Sequence, residues 1–446
     1  MIDLRKTFGQ AGRGVAIAFV ALAFLTVSIG TTDAQRNRDE PRSSGGTISV
    51  KLQKPVIEIQ EILETGNSRA AIAALGRLGS LAEMTPYDQV VINRLYAQAY
   101  LEQDNYEQGV KYLERAVAVG RDTMAPAELS QTTFNIGQLY IAIGAEKDGA
   151  AAQTFFKKGI DALEGFFREN PNARPESYAT LSTAYLQIQP PNYKKGIEWI
   201  ERAIAKAQEL GEQPKEGWYR NLAGLYLEDN QAAKALPIME LLVKNYPKRD
   251  YWLQLAYVYG ELGKESDQFA ALKAAHRQGL LTSSNEQVYL AQLYIQNEIP
   301  IRGAEILEKG LDSGLIEKKP ENYRLLADAF YTARELDRAI KWYNVAGEQA
   351  KGAEPFFFLG QIFMQKEDWE KAAAAWESTI RKNASAPREN KLRMIGNAHY
   401  NLGIAYFYQN KCDSAKRAFT NATEFQAQRS SANQWIQRIN AGSCGA

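Results

Sequence analysis

The chain has 446 residues and nearly balanced charge, with 53 lysines and arginines against 52 aspartates and glutamates. Nonspecific nucleic-acid binding needs a strongly basic surface to neutralise phosphates, so the balance argues against a nucleic-acid partner, including RNA read by helical repeats. The length alone would suggest two or three domains, but an internal repeat overrides that estimate.

The first 34 residues have the three parts of a secretory signal peptide. Basic residues come first, an apolar run from Val15 to Ile29 follows, and small residues precede a predicted cleavage site before Gln35. The run has 15 residues, whereas a membrane span needs roughly 20, so we predict that the segment is cleaved and that the mature protein is soluble. The alternative is an uncleaved N-terminal anchor. Residues 35–51, rich in arginine, serine and glycine, are predicted to be a flexible leader.

The segment from Tyr219 to Pro247 is the unit that the chain repeats. Its first half places Tyr219, Leu222, Ala223 and Tyr226 on one helical face, and its second half does the same with Ala235, Met239 and Leu242. A polar turn separates the two halves. Small residues on both helices let the backbones approach closely, so we predict a tightly packed helical hairpin.

The same pattern recurs along the chain at intervals of 33 to 45 residues. We call the small residue of each first helix the index residue; it is Ala97, Gly137, Ser182, Ala223, Ala256, Ala291, Ala327, Gly360 and Gly403. An aromatic residue follows three positions later in every case. The second helix carries a small residue in each repeat except one, where Gln268 stands instead. Ordinary amphipathic helices of an unrelated bundle would not recur in this way.

This pattern resembles the tetratricopeptide repeat. The resemblance implies an all-α superhelical solenoid of about nine helix-turn-helix repeats. We predict a degenerate helical hairpin at 52–85, the repeat array at 86–428, and a capping helix and tail at 429–446. Gly120, Gly279 and Gly314 are predicted to end second helices in the left-handed conformation.

The two cysteines lie at the two ends of the last pair of helices. Cys412 is in a turn and Cys444 is near the end of the chain, with two helices between them. Because two antiparallel helices return the chain to its starting level, we predict a disulfide that staples the cap, with two free thiols as the alternative. An oxidising compartment would preserve the bond.

No catalytic, cofactor or metal motif is apparent. The only histidines are His276 and His399, which are 123 positions apart. His399 occupies the aromatic position of the last repeat, where a packed side chain is expected, and His276 lies near a helix end, where a cation would suit the helix dipole. We therefore predict a protein that is not an enzyme and has no cofactor.

A stripe on the first helices is the predicted binding surface. It consists of the positions −3, +1 and +4 from each index residue, which line the concave face in tetratricopeptide arrays. Recurring glutamines could bond to a peptide backbone, and aromatic and arginine side chains could anchor a partner. The alternative is packing against neighbouring helices. The candidate partner-binding residues are Arg220, Tyr257, Gln292, Arg324, Asp328, Phe357, Gln361 and Tyr400.

Residues 215–440 also resemble exported tetratricopeptide proteins of Gram-negative bacteria associated with TonB-type energy transduction. The resemblance lies in the amino-acid sequence of the repeats and not in a functional motif; one example is YWLQLAYVYGELGKESDQFAALKAAHRQGLL, which begins at Tyr251. It implies a noncatalytic periplasmic adaptor with TonB-, ExbB- or ExbD-type components as partners, and no membrane span after cleavage. The alternative function is an assembly factor for outer-membrane or cell-wall components.

Overall fold

The computed structural model describes residues 46–80, 83–383 and 388–444, apart from the side chains of residues 383–392. Within these ranges 21 helices are present and no strand. The helices are α1 (Val50–Glu64), α2 (Ser68–Gly76), α3 (Pro86–Leu101), α4 (Tyr106–Gly120), α5 (Pro126–Glu146), α6 (Gly149–Glu169), α7 (Pro175–Ala184), α8 (Tyr193–Glu209), α9 (Glu216–Glu228), α10 (Ala232–Asn245), α11 (Arg249–Glu261), α12 (Glu265–Arg277), α13 (Ser284–Gln296), α14 (Pro300–Ser313), α15 (Pro320–Thr332), α16 (Leu336–Gln349), α17 (Glu354–Gln365), α18 (Trp369–Asn383), α19 (Arg388–Tyr408), α20 (Cys412–Ala422) and α21 (Gln426–Asn440).

These helices form two compact units, which divide at the turn between Lys264 and Glu265. In the N-terminal unit α1 to α10 pack as five consecutive hairpins, and α11 packs against α10. In the C-terminal unit α12 packs against α13, α13 to α20 form four hairpins, and α21 packs against α19 and α20. Within each unit, the second helix of most hairpins packs against the first helix of the next. The predicted all-α repeat fold is confirmed, whereas the division at residue 264 is not predicted by the repeat pattern.

Small residues set the close approach of the two helices in a hairpin. Ala223 and Ala235 are both fully buried. A Cβ atom added to Gly303 would lie 2.7 Å from the backbone oxygen of Ala291, and one added to Gly360 would lie 2.5 Å from the ring of Trp376. Side chains and backbone already fill these positions, so larger residues would push the helices apart.

The turn inside the hairpins has a fixed geometry. In seven repeats the same backbone hydrogen bond closes this turn. The carbonyl oxygen of the aromatic residue, three positions after the index, accepts the bond from the N–H of the residue five positions after that aromatic residue. The residue just before that donor has positive φ in each case: Asp104, Asn230, Gly263, Glu298, Arg334, Glu367 and Asn410. This bond satisfies a carbonyl at the end of the first helix.

The three glycines that were predicted to end second helices differ in backbone conformation. Gly279 and Gly314 have positive φ, as expected. Gly120 does not, and the prediction for it was wrong: it is the last residue of α4, and an added Cβ would lie 2.3 Å from Val90. Close packing is therefore the reason for glycine at this position.

Each unit has its own apolar core. The largest core of the N-terminal unit runs from α6 to α11 and includes Trp199 and Met239. In the C-terminal unit one core spans α13 to α18 around Phe330 and Tyr343, and a smaller one joins α19, α20 and α21 around Phe419. Burying this apolar surface is the main source of stability for such hairpins.

The N-terminal end of the described chain is attached to α3. The predicted signal peptide, residues 1–34, and most of the predicted leader lie outside the described residues. Within the predicted leader, Gly46 donates its N–H to the Thr123 carbonyl at 2.8 Å, and both the N–H and the hydroxyl of Ser49 bond the carboxylate of Asp88. α1 then begins at Val50. Of the helices described, none has the length and apolar character that a membrane span requires.

Candidate functional site

The +1 position of the stripe presents amide side chains in the C-terminal unit. Gln292 on α13 is exposed, and Gln361 on α17 is half-buried. Neither side chain has a hydrogen-bond partner among the described residues. Each amide therefore keeps a donor and an acceptor available to another molecule.

Between these two helices, α15 contributes a charged pair. Asp328 accepts a hydrogen bond from the Tyr343 hydroxyl at 2.6 Å, and its carboxylate lies 3.8 Å from the guanidinium of Arg324. Burial raises the pKa of Asp328 above its ordinary value, and the bond from Tyr343 and the charge of Arg324 offset this effect only in part. Arg324 is exposed, so its side chain remains accessible to solvent.

The aromatic candidates at the −3 position turn toward their own hairpins. The Phe357 ring meets the ring of Trp376 edge-on at a centroid distance of 5.2 Å. Tyr400 meets Phe419 edge-on at 5.8 Å, and its hydroxyl accepts a hydrogen bond from the Trp435 indole at 3.1 Å. Both residues are half-buried, so their rings serve mainly as hairpin and cap packing.

In the N-terminal unit the two candidates differ in exposure. Arg220 on α9 is exposed, while Tyr257 on α11 is half-buried and packs against the core that runs from α6 to α11. Tyr257 therefore supports the fold as well as forming part of the surface. We therefore expect substitution of Tyr257 to affect stability as well as the surface.

Another stripe residue, Arg94 on α3, is buried. It is 6% exposed and forms an ion pair with Glu128 on α5. Burial lowers the pKa of Arg94, and the carboxylate of Glu128 opposes that shift. A buried pair of this kind joins two neighbouring hairpins, because either charge would be costly to bury alone.

The stripe thus contains both packed and exposed residues, and the repeat position alone does not separate them. At −3 and +4, Leu101 and Leu253 are buried and the Phe407 ring contacts Trp435 at 4.9 Å. Arg220 and Arg324, also at −3, are exposed, whereas Tyr257 and Gln361 at +1 are half-buried. Packing against neighbours, the alternative weighed from the sequence, therefore accounts for part of the stripe.

Sequence reasoning missed a recurring bond between successive hairpins. The tyrosine three positions after the index donates its hydroxyl to a glutamate on the second helix of the preceding hairpin. The pairs are Tyr140–Glu114, Tyr185–Glu164, Tyr226–Glu201, Tyr259–Glu240 and Tyr406–Glu377. Burial and the bond to glutamate raise the pKa of Tyr406 to about 12, and the pKa of Tyr226 is raised by the same causes.

A signal for this bond is present in the sequence. In four of the five pairs the glutamate stands five residues after the small residue of the second helix: Glu114, Glu201, Glu240 and Glu377. Where the aromatic residue is Phe330, the corresponding Glu308 instead accepts bonds from Arg338 and Trp342. A phenylalanine has no hydroxyl, so the glutamate bonds other donors.

The cysteines and histidines have structural surroundings. Cys412 and Cys444 form a disulfide, the pairing predicted from the sequence, with Cα atoms 5.8 Å apart. His276 lies in the last turn of α12, near a helix end as predicted. Burial lowers the pKa of both His276 and His399. Within the described part of the chain, no group of three or more potential ligand side chains could hold a metal ion.

No family model matches the sequence, and no curated protein matches it. Among solved structures, MamA is 21% identical over 40% of this chain and 97% of its own, with a TM-score of 0.33. A tetratricopeptide repeat protein from Parabacteroides merdae is 14% identical over 59% of this chain and 98% of its own, with a TM-score of 0.31. The APC/C hetero-tetramer Cut9–Hcn1 is 12% identical over 86% and 83%, with a TM-score of 0.28.

These scores are too low to transfer an architecture, so the fold is assigned from the hairpins themselves. The recurring index residue, the fixed turn and the packing of each second helix on the next first helix are all found within this chain. The described part of the chain is all-α and is built from repeated helical hairpins.

Proposed function

We propose that the protein is a noncatalytic scaffold that binds a protein partner along the stripe of its first helices. The observation that carries this proposal is the pair of unpartnered amides, Gln292 and Gln361, at the same repeat position on α13 and α17. An extended peptide has an N–H and a carbonyl at each residue, and side-chain amides match both groups.

The surroundings of these amides suit a polypeptide partner. Arg324 and Asp328 lie on the intervening helix and supply one cationic and one anionic group. On α17, Phe357 and Met364 are half-buried and pack against the neighbouring core, which fixes the helix that carries Gln361. Binding energy in protein interfaces usually concentrates in a few aromatic and arginine residues, with polar groups fixing the register.

We further propose that the scaffold acts in the periplasm as an accessory to a TonB-type transport energy system. Support for this setting comes from the predicted signal peptide and from the resemblance of residues 215–440 to exported repeat proteins. The disulfide between Cys412 and Cys444 is compatible with an oxidising compartment. The expected partners are TonB-, ExbB- or ExbD-type components.

The partner is best identified by capture from crosslinked cell envelopes, using tagged full-length protein expressed with its own N-terminus. Recovery of TonB-, ExbB- or ExbD-type proteins would support the adaptor role. Recovery of cell-wall synthases or outer-membrane insertion machinery instead would contradict it and favour an envelope assembly factor. N-terminal sequencing of the purified protein tests export, because cleavage should leave Gln35 first.

The surface is tested with matched substitutions. The double variant Gln292→Ala with Gln361→Ala should reduce partner recovery about 10-fold or more, since each lost hydrogen bond to a peptide is worth about 1 kcal/mol. Lys416→Ala, an exposed residue of the second helix α20 outside the stripe, should have no effect. Both variants should keep the melting temperature of the parent protein. Equal partner recovery by all three proteins would exclude this surface.

A further inference from the structure

The last helix, α21, is weakly packed for its length. Ten of its fifteen residues are exposed, and only Gln428 and Ala432 are buried. Its sequence, QAQRSSANQWIQRIN, is mostly polar. By comparison, the shorter helix α20 buries Ala415, Ala418, Phe419 and Ala422. Trp435, Ile436 and Ile439 of α21 pack against the core around Phe419, but all three are only half-buried. Fully buried apolar side chains therefore contribute less to holding α21 than to holding α20.

What α21 covers is more apolar than α21 itself. Trp435 stacks on the fully buried ring of Phe419, with centroids 5.5 Å apart and nearly parallel planes. Trp435 also contacts Phe407 and donates its indole N–H to Tyr400. Arg438 lies over both the Phe407 and Trp435 rings. If α21 moved away, an aromatic face of α19 and α20 would be exposed, and this face includes the stripe residues Tyr400 and Phe407.

The disulfide connects the far end of α21 to the start of α20. Cys412 is the first residue of α20, and Cys444 lies just beyond the end of α21 at Asn440. Both cysteines are half-buried, so a small thiol can reach the bond. With this bond intact, α21 is tethered at both ends, which limits the conformations open to a detached helix.

We propose that the Cys412–Cys444 disulfide is a redox latch that keeps α21 over the aromatic face of the last hairpin. A dithiol reductant opens the latch: one of its thiolates attacks a sulfur of the disulfide, forms a mixed disulfide and releases the other cysteine as a thiolate. The second thiol of the reductant then displaces the remaining cysteine. Two electrons pass to the protein, two cysteine thiols form, and the reductant leaves as its own disulfide.

Opening the latch increases the population in which α21 is detached. In the chain-entropy model, breaking a disulfide that closes a loop of about 30 residues increases the detached population relative to the attached one on the order of 100-fold. The rest of the C-terminal unit keeps its hairpin packing, because α17 to α20 bury their own apolar surface. The latch therefore controls access to the aromatic face without unfolding the repeats. This inference concerns the chain alone and does not require that the proposed partner be correct.

Segment-resolved hydrogen exchange on the protein purified from the exported fraction tests the latch. Dithiothreitol is the reductant, and alkylation followed by mass analysis verifies the state of the thiols. Untreated protein should show no alkylatable cysteine and slow exchange in residues 426–440. Complete reduction should speed exchange in that segment on the order of 100-fold and leave α17 to α20 unchanged. The double variant Cys412→Ser with Cys444→Ser should exchange rapidly without reductant and should not respond to it.

The control for this test is a substitution next to the disulfide that leaves both cysteines in place. Ser443→Ala, next to the bond, should behave as the parent protein does. Unchanged exchange in 426–440 after complete reduction would overturn the proposal, since the helix would then be held by packing alone. Loss of protection through α17 to α20 as well would also overturn it, because the bond would then support the whole unit. So would alkylation of both cysteines in the untreated protein.

Discussion

The bond between successive hairpins allows a quantitative test at Tyr226. This residue is 6% exposed, and its hydroxyl donates to the carboxylate of Glu201, which is itself exposed. Tyr226→Phe removes the donor and keeps the ring. No buried polar atom is left without a partner, because Glu201 can return to water.

The expected loss follows from these exposures. A hydrogen bond to a charged group contributes about 1.5–3 kcal/mol when its loss leaves a buried group unsatisfied. Here the carboxylate regains hydration, so we expect about 1 kcal/mol of destabilisation. The matched control is Tyr294→Phe, at the equivalent repeat position, where Lys273 replaces the glutamate and the ring meets Phe269 edge-on. It should change stability by less than about 0.5 kcal/mol.

A double-mutant cycle isolates the bond. Urea unfolding of Tyr226→Phe, Glu201→Gln and the combined variant should give a coupling energy of about 1 kcal/mol at pH 7. The folded state raises the pKa of Tyr226 above its ordinary value of 10.0, so it favours the neutral phenol. The stability from this bond is therefore fully present below pH 10 and should be lost as the pH rises above 10.

A coupling energy within about 0.3 kcal/mol of zero would refute the interpretation, because independent sites add within that error. So would an equal loss in Tyr294→Phe, since the hydroxyl there has no glutamate opposite. Either result would mean that the tyrosine stabilises the hairpins through its ring alone, and that the repeated glutamate is only a solvated helix charge.

Gly360→Ala should destabilise the protein by about 1–3 kcal/mol, because the added Cβ would clash with the buried ring of Trp376 on the next helix. Gly217→Ala is the control: no atom lies near its added Cβ, so it should be neutral or stabilising. Thermal melting compares the two variants. Asp328→Asn should raise stability, and the gain should grow as the pH rises above about 4, because burial raises the pKa of this carboxyl and the folded state disfavours its charge. The exposed Asp312→Asn should show no such trend in urea unfolding at pH 3 and pH 7. His399→Gln should reduce the loss of stability between pH 7 and pH 5, since burial lowers the pKa of His399 and protonation opposes folding; equal losses in both proteins would contradict this.

The repeat pattern predicted the hairpins because their packing is local. Small and large residues that recur three and four positions apart mark one face of a helix, and this spacing is visible in the sequence. In the fold, the small residues Ala223 and Ala235 on these faces are fully buried. The order of hairpins follows from the chain itself. The disulfide was also predictable, because two helices of similar length bring Cys412 and Cys444 to one level.

The candidate surface was predicted less well, for a different reason. Spacing along one helix tells which residues share a face, but it does not tell which neighbour covers that face. Phe357, Tyr257 and Tyr400 lie on the stripe as predicted, yet each is partly covered by another helix. Gln292, by contrast, is exposed.

By itself, the sequence determined that this protein consists of helical hairpins and which positions join the two helices of a hairpin, since both depend on residues close together in the chain. The tertiary structure decided what happens between hairpins. It paired tyrosines with glutamates about 20 to 30 residues away, buried Arg94 against Glu128, and divided the chain at residue 264, within the one repeat whose second helix carries Gln268 in place of a small residue. These contacts depend on how one hairpin is placed on the next, and that placement is set by side chains far apart in sequence.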